Sequence, residues 1–510
     1  MRGHFSRTVV FVSTVFFFFI FLIPLVFIFS KVSVKSLMDV FTDRYYIGRM
    51  GFTLIQAFLS ACFSIVIGLP LGWILSKLDF RGKVAVKTIY LIPFMLPSVL
   101  VVLGFVIFFG NNGVLAKLLN REVNILYSFK AVLLAHIFYN FPVAAYLISD
   151  ALNGTDSSEE DDARTCGAGE FAIFFKVTLR RILPSVLSAF CVIFLLCFTS
   201  FAIIMVLGGG PFLSTVEVEV YQLAVTSLDF EKACSLSLFS VFVSCSVLLL
   251  HRHYEKKNNF KENNSVNCDR VKLSRAKYIV CMMFVFISVI FILCPVFSIF
   301  FRALFASSTR GGKLNFSFAS FSSISFKPLF NTLFISLLSA VLSVFIAYGF
   351  CLSEKKILPM LPMAVSSVIT GLSYFLLSRF FTGLPPIIAI VLADGVLNIP
   401  FAFKSLSARY NGIPETFKDW AELCRCPSFF YFRKVEFPLL RAPMFTAFLL
   451  CFASSMGELN AALILGASKV ETVSVAIMHM VSSYNYQGAC AQGCVLMLVC
   501  IPVFFLARKV

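Results

Sequence analysis

Two acids and a histidine stand in text that is otherwise almost entirely apolar: Glu458 in "SSMGELNAALIL", Asp394 in "VLADGVLNIP" and His136 in "LLAHIFYNFP". A charge inside a long apolar segment is expensive, so it faces a neighbouring helix, a cavity or a partner charge. A carboxylate lining a path suits a cationic solute, whereas one hydrogen-bonded to a neighbouring helix is purely structural. His136 could carry protons, line a path or be a packed polar group. No catalytic set accompanies these residues: there is no HExxH, no GxSxG and no carboxylate pair in a plausible pocket. The absence of GxxxxGK[ST] leaves no phosphate cradle of that kind. The 16 cysteines form no CxxC or Cys/His spacing, and Cys191, Cys197, Cys490 and Cys494 read as small buried hydrophobes. No catalytic, cofactor-binding or metal-binding residue is therefore assigned, and energy for any transport must come from another chain.

The elements that hold these residues follow from composition. Of 510 residues 59% are hydrophobic and 14% charged, with mean hydropathy +0.91, against about 25% charged in soluble proteins. A bilayer-crossing helix needs about 20 apolar residues. Twelve segments qualify: 8–30, 50–77, 86–110, 129–150, 183–207, 233–251, 276–303, 328–353, 358–381, 385–406, 441–466 and 486–507. The first lacks a small-residue cleavage site and reads as a span, not a signal peptide. The net charge of +17 then speaks for topology and not for nucleic acid. With the N-terminus inside, 29 of the 43 Lys and Arg residues fall on the inner side, which places both termini in the cytoplasm. The polar stretch Arg252–Lys277 becomes a flexible cytoplasmic linker.

The chain repeats itself. "FFKVTL" (174–179) returns as "FRKVEF" (432–437), an offset of 258, and "AHIFYNFP" (135–142) as "ADGVLNIP" (393–400) at the same offset. "TLIQAFLSACFSIVI" (53–67) matches "TLFISLLSAVLSVFI" (332–346) at 279, and "CFTS" (197–200) echoes "CFAS" (451–454). Six spans per copy is even, so both copies point the same way about an axis along the membrane normal. The expected fold is all-α and integral to the membrane, with about twelve transmembrane helices. Its first unit covers 1–251, the linker 252–277 and the second unit 278–510. His136 pairs with Asp394 across the repeat, and Asn140 and Pro142 pair with Asn398 and Pro400, which are read as matched kinks facing one pseudo-symmetric interior.

After the fourth span of each copy comes a polar loop, about 152–182 and 408–440. Ser158-x-x-Asp161 and Thr416-x-x-Asp419 are helix-start signatures. A short helix follows, broken in the first copy at Gly167, and then a second one. Such a loop is either a docking feature or a pair of amphipathic helices resting on lipid headgroups; its repetition favours a two-fold partner.

These loops resemble the EAA coupling motif of binding-protein-dependent ABC importer permeases. The first reads Asp161-Asp162-Ala163 with Gly167 in place and Arg180 where proline is usual. The second reads Asp419-Trp420-Ala421 with Arg425 where glycine is usual and Pro438 in place. "LCFTSFAIIMVLGGGPFLSTVEVEVYQ" (196–222) and "LLAHIFYNFP" resemble thiamine importer permeases, and "SSMGELNAALIL" a segment shared by thiamine and ferric-iron permeases of the fused type. The resemblance implies two tandem MetI-like units in the bacterial inner membrane. It implies a periplasmic binding protein and two copies of an ATPase subunit that hold the ATP and Mg, with no cofactor in this chain. Asp161, Asp162, Ala163, Gly167, Asp419, Ala421, Arg425 and Pro438 would serve ATPase coupling. His136, Tyr139, Asn140, Asp394, Asn398 and Glu458 would line the substrate path, with Tyr139 and Tyr221 offering aromatic faces to a cation. Gly208, Gly209 and Gly210 form a tight exit from the fifth span at the outer face, where a binding protein could touch. Because glycine makes this turn without a Cβ, Gly167→Arg is expected to harm coupling badly and Arg425→Gly to be neutral or mildly favourable. The implied function is inward movement of thiamine or a thiamine phosphate; the alternatives are a ferric-iron importer permease, a twelve-helix secondary transporter and, least of all, a membrane enzyme.

Overall fold

The computed structural model describes residues 4–509 except 112, 156–157, 260–273, 308–313, 317–320, 322–323, 354–356, 382, 415 and 467–468. Among the described residues eleven helices are long and apolar enough to cross a membrane. The pair Leu358–Ala364 and Ser367–Phe380, bent by 100° at its break, is a broken span or a re-entrant loop and brings the number to twelve when counted as one span. The architecture is the expected all-helical bundle, with one small departure, a two-stranded antiparallel hairpin pairing Phe305 with Phe316 and Ser307 with Leu314.

The structure corrects several span boundaries. The third expected span, 86–110, is two helices, Lys83–Met95 and Ser98–Phe109. Leu96-Pro97 interrupts them, since the residue before a proline is pushed out of the helical region. The fifth and eleventh spans also stop early, at Phe198 and Met456. Each is followed by a short helix, Ala202–Leu207 or Asn460–Gly466, and then by a returning one, Val216–Tyr221 or Val473–Ser482. Glu458 therefore sits at a helix break and not within a span. The linker is shorter than expected as well. The sixth span's helix continues to Asn259 and the next begins at Arg275, while 260–273, with Ser265, lies outside the described residues.

The duplication is visible boundary by boundary. Ser158–Thr165, Glu170–Ile173, the wide π turn Phe174–Thr178 and the helix Leu179–Phe198 recur as Thr416–Leu423, Ser428–Tyr431, Phe432–Glu436 and Phe437–Met456. Buried hydroxyls repeat too. Thr53 Oγ1 accepts from the Val216 amide at 2.9 Å, and Thr332 Oγ1 accepts from the Val473 amide at 2.9 Å. Each satisfies a free N–H at the start of a returning helix.

The two halves interlock through their first spans. The helix starting at His4 packs on Phe326–Cys351 of the second half, and its continuation Ile23–Lys31 on Ser367–Phe380. Tyr374 Oη donates to the Ile20 carbonyl at 2.5 Å. Reciprocally, Arg275–Leu304 packs on Lys83–Met95 and Ser98–Phe109, with Tyr90 Oη 2.5 Å from Ser288 Oγ. Close approach is built into both crossings: a Cβ at Gly104 would lie 2.8 Å from the Pro295 carbonyl oxygen, and one at Gly349 would overlap the Ser13 side chain.

Candidate functional site

A cavity of about 760 Å³ lies between the halves. One wall carries Pro97, His136, Tyr139 and Asn140; the other carries Lys404, Ser454 and Glu458. A lobe of about 240 Å³ adjoins it, lined by Ser366, Ser367, Asp394 and Asn398, and the two spaces share Thr199, Phe401, Ser454 and Glu458. All six polar residues singled out as path candidates thus line connected space. The helices Phe129–Asn153 and Pro386–Asn411 present them in register. Both helices continue past Pro142 and Pro400, and Asn140 and Asn398 each donate to the carbonyl four residues back, at 2.9 Å. Tyr221 does not line either space; it packs edge-on against Phe201, with centroids 5.1 Å apart.

The hydrogen bonds divide these residues by what they have left to offer. Tyr139 Oη is committed to the Leu96 carbonyl. His136 places Nδ1 3.1 Å from Ser60 Oγ, while Nε2 is buried without a partner among the described residues. Asp394, 2% exposed, accepts from Ser455 through Oδ2 at 2.8 Å and leaves Oδ1 without a partner. Glu458 Oε1 accepts from the amides of Asn460 at 2.9 Å and Ala461 at 3.3 Å, capping the short helix after the break. An unpaired buried acceptor costs about 1–3 kcal/mol, and Asp394 Oδ1 is such an acceptor among the described residues. Phe94, Tyr139, Phe201 and Phe401 add aromatic walls, which suit a flat organic ring with positive charge. Lys404 stands toward the end of its helix nearest the second loop, 3.8 Å from Glu255.

Several buried polar groups escaped the sequence reading. Glu217 is fully buried and accepts from Ser240 at 2.7 Å and, across the halves, from Ser366 at 2.5 Å. Its signal was the pair of acids in "VEVEVY", which alternates like a surface pattern. Lys77 and Glu160 form a buried ion pair at 2.9 Å, with the side chains 1% and 8% exposed, and Thr178 Oγ1 donates to the other Glu160 oxygen at 2.8 Å. Leaving one member of such a pair alone costs about 3–5 kcal/mol.

The two loops emerge at the same end of the bundle. Their first helices, Ser158–Thr165 and Thr416–Leu423, are eight residues each. Ala163 and Ala421 are half-buried at equivalent places; Asp162 and Asp419 are exposed. Gly167 has φ +81° and Arg425 has φ +46°, so both chains make the same left-handed turn. A Cβ built at Gly167 would meet open space, so within this chain only backbone strain opposes a side chain there. Pro438 lies in the first turn of Phe437–Met456. Arg164 is held by Asp161 at 2.6 Å and Glu170 at 2.9 Å; the Glu170 hydrogen bond above all holds its guanidinium pKa above the usual value. Large apolar side chains are exposed on both loops, among them Phe171, Trp420 at 70% and Leu423 at 82%. Such exposure off the spans marks an interaction face.

Gly208–Gly210 do not leave the fifth span directly but follow the short helix Ala202–Leu207. Gly209 and Gly210 have φ +74° and +128°. The neighbouring Phe212 is 89% exposed, and its carbonyl accepts from Arg49 Nη1 at 2.7 Å.

Residues 64–259 match the family described as "Binding-protein-dependent transport system inner membrane component". The thiamine transport system permease protein of Haemophilus influenzae is 26% identical, over 91% of this chain and 88% of its own length. That of Escherichia coli K12 is 25% identical, over 92% and 90%. A probable sulfate transport system permease of Helicosporidium is 28% identical over 45% of this chain. A crystal structure of a bacterial ABC transporter that imports alginate covers 49% of this chain at 18% identity and a TM-score of 0.42. Residues 64–259 thus carry a binding-protein-dependent transport inner membrane component, in a chain whose helices are long and apolar enough for a multi-pass membrane protein. The chain resembles the thiamine transport permeases along nine-tenths of its length.

Proposed function

We propose that this permease carries a thiamine-type organic cation from an extracytoplasmic binding protein into the cytoplasm, driven by two copies of a separate ATPase that hold the ATP and Mg. The observation that carries this reading is the connected cavity between the halves. It combines the buried carboxyl group of Asp394, one oxygen of which has no partner among the described residues, and the half-buried carboxyl group of Glu458 with aromatic walls. The names of the relatives that match over nine-tenths of the chain support the substrate. The loops at 152–182 and 408–440 then face the cytoplasm and dock on the ATPase, and their exposed apolar side chains support that role. The Gly208–Gly210 turn with Phe212 faces outward, toward the binding protein. This chain itself performs no catalysis.

Uptake into proteoliposomes holding the permease, its ATPase and its binding protein tests this reading. Labelled thiamine should accumulate with ATP and be competed by unlabelled thiamine but not by ferric iron. Iron uptake that thiamine does not compete would instead assign the ferric class. Ala163→Asp should abolish copurification of the ATPase by placing a charge at the docking face.

A further inference from the structure

Three elements of the first half converge on one carboxylate. Glu160 projects from the loop helix Ser158–Thr165. One oxygen takes Lys77, the last residue of the helix Arg44–Lys77, at 2.9 Å; the other takes Thr178, in the π turn that leads into Leu179–Phe198, at 2.8 Å. Arg164 adds a more distant charge at 3.9 Å. One residue before Lys77, Ser76 donates to Asn153 Oδ1 at 2.8 Å, tying in the end of Phe129–Asn153.

These helices lead to the cavity. Arg44–Lys77 lies along Phe129–Asn153, which bears His136, Tyr139 and Asn140, and its Ser60 meets His136 directly. Leu179–Phe198 brings Leu196, and the break after it Thr199, to the cavity wall. A displacement of the loop helix is therefore carried by helices that themselves line the cavity. Separating Lys77 from Glu160 would strand a buried charge, so the two helices move together.

The second half is wired differently. At the repeat offset the position of Glu160 is Lys418 and that of Thr178 is Glu436. The buried carboxylate thus belongs to the turn and not to the loop helix: Glu436 accepts from Tyr348 of Phe326–Cys351 at 2.7 Å. The counterpart of Lys77, Lys356, lies outside the described residues.

We propose that Glu160 is a positioning residue that joins the first loop helix to two membrane helices, and that through it the first loop transmits the ATPase stroke to the cavity. This rests on reading the loops as ATPase docking sites. Glu160 is buried against Lys77 and Thr178, so its carboxylate is turned into the bundle and away from the exposed face of the loop.

The test uses the complete permease–ATPase complex with a single reporter cysteine replacing Ser405 in the cavity lining, in an otherwise cysteine-free chain. Trapping the ATPase with ATP and vanadate should change the maleimide labelling rate of the reporter; no substrate is needed. Glu160→Gln and Lys77→Met should keep ATPase copurification and basal hydrolysis, yet lose about tenfold of the nucleotide-dependent labelling change, as expected when a buried pair is broken. The swap Lys77→Glu with Glu160→Lys should restore most of it, which a merely structural loss would not. If Glu160→Gln fails to accumulate, Thr178→Val, which removes one hydrogen bond only, should give a partial loss. An unchanged response in the single variants, or a swap that rescues nothing, overturns the joint. Loss of copurification in Glu160→Gln also overturns it, by making Glu160 a docking residue. Intact copurification in Ala163→Asp strikes the docking reading and leaves the swap result to judge the joint.

Discussion

At the scale of single residues, Asp394 and Glu458 make different predictions although both are carboxylates in one cavity. Glu458 already caps a helix with one oxygen. Glutamine keeps an acceptor there, so Glu458→Gln should insert and fold normally while slowing thiamine uptake. Glu458→Ala should also destabilise, by about 1 kcal/mol for the lost cap. Thermal unfolding in detergent beside the uptake rate separates the two effects, and wild-type uptake in Glu458→Gln would return the acid to a capping role alone. Asp394→Asn retains an acceptor for Ser455 but turns its other oxygen into an amide donor or a neutral acceptor. It should weaken cation uptake at least as much as Glu458→Gln does. These two acids, with His136, could be read from sequence because a polar residue in apolar text advertises itself. Glu160 and Lys77 could not, since each stands at a helix end where charges are ordinarily solvated. Only the packing of the loop against the bundle removes them from water.

At the scale of elements, the left-handed turns at Gly167 and Arg425 set up a reciprocal experiment. Arginine at such a φ is strained by about 1–2 kcal/mol relative to glycine. Arg425→Gly should therefore raise stability slightly and leave ATPase copurification intact. Gly167→Arg should lower stability by a similar amount and also leave docking intact, since its Cβ meets open space. Loss of copurification in Gly167→Arg alone would mean that the ATPase groove contacts that position. The crossing of the first span over Phe326–Cys351 makes a firmer prediction. Gly349→Ala drives a Cβ into Ser13, an overpacking worth about 1–3 kcal/mol, and Ser13→Gly in the same chain should recover much of the loss of melting temperature.

At the scale of the whole molecule, each half donates its first span to the other, so the units are interlocked and not merely tethered. The cavity lies on the same interface, which suits rocking of one half against the other about a fixed site. The Lys and Arg asymmetry predicts an orientation with both termini inside. A cysteine placed at Ser265 in a cysteine-free chain should stay unlabelled by an impermeant reagent in intact cells and react after permeabilisation. Strong labelling in intact cells would invert the topology and with it the assignment of the loops.

Hydropathy and repetition determined the span count, the duplication and the position of the loops, because lipid solvation acts on each segment alone and a helix satisfies its own backbone. The breaks at Leu96-Pro97, after Phe198 and after Met456 were not legible as breaks. The apolar text runs on through them; Glu458 meets the N–H groups freed after Met456, while Thr53 and Thr332, far away in sequence, meet those at the starts of the returning helices. Tertiary structure alone decided which first span packs on which half, that Glu217 bridges the halves, and that Lys77 and Glu160 meet in a dry pocket. Each depends on long-range pairing, and apolar packing among lipid-soluble helices leaves no periodic signature of which neighbour a helix will choose.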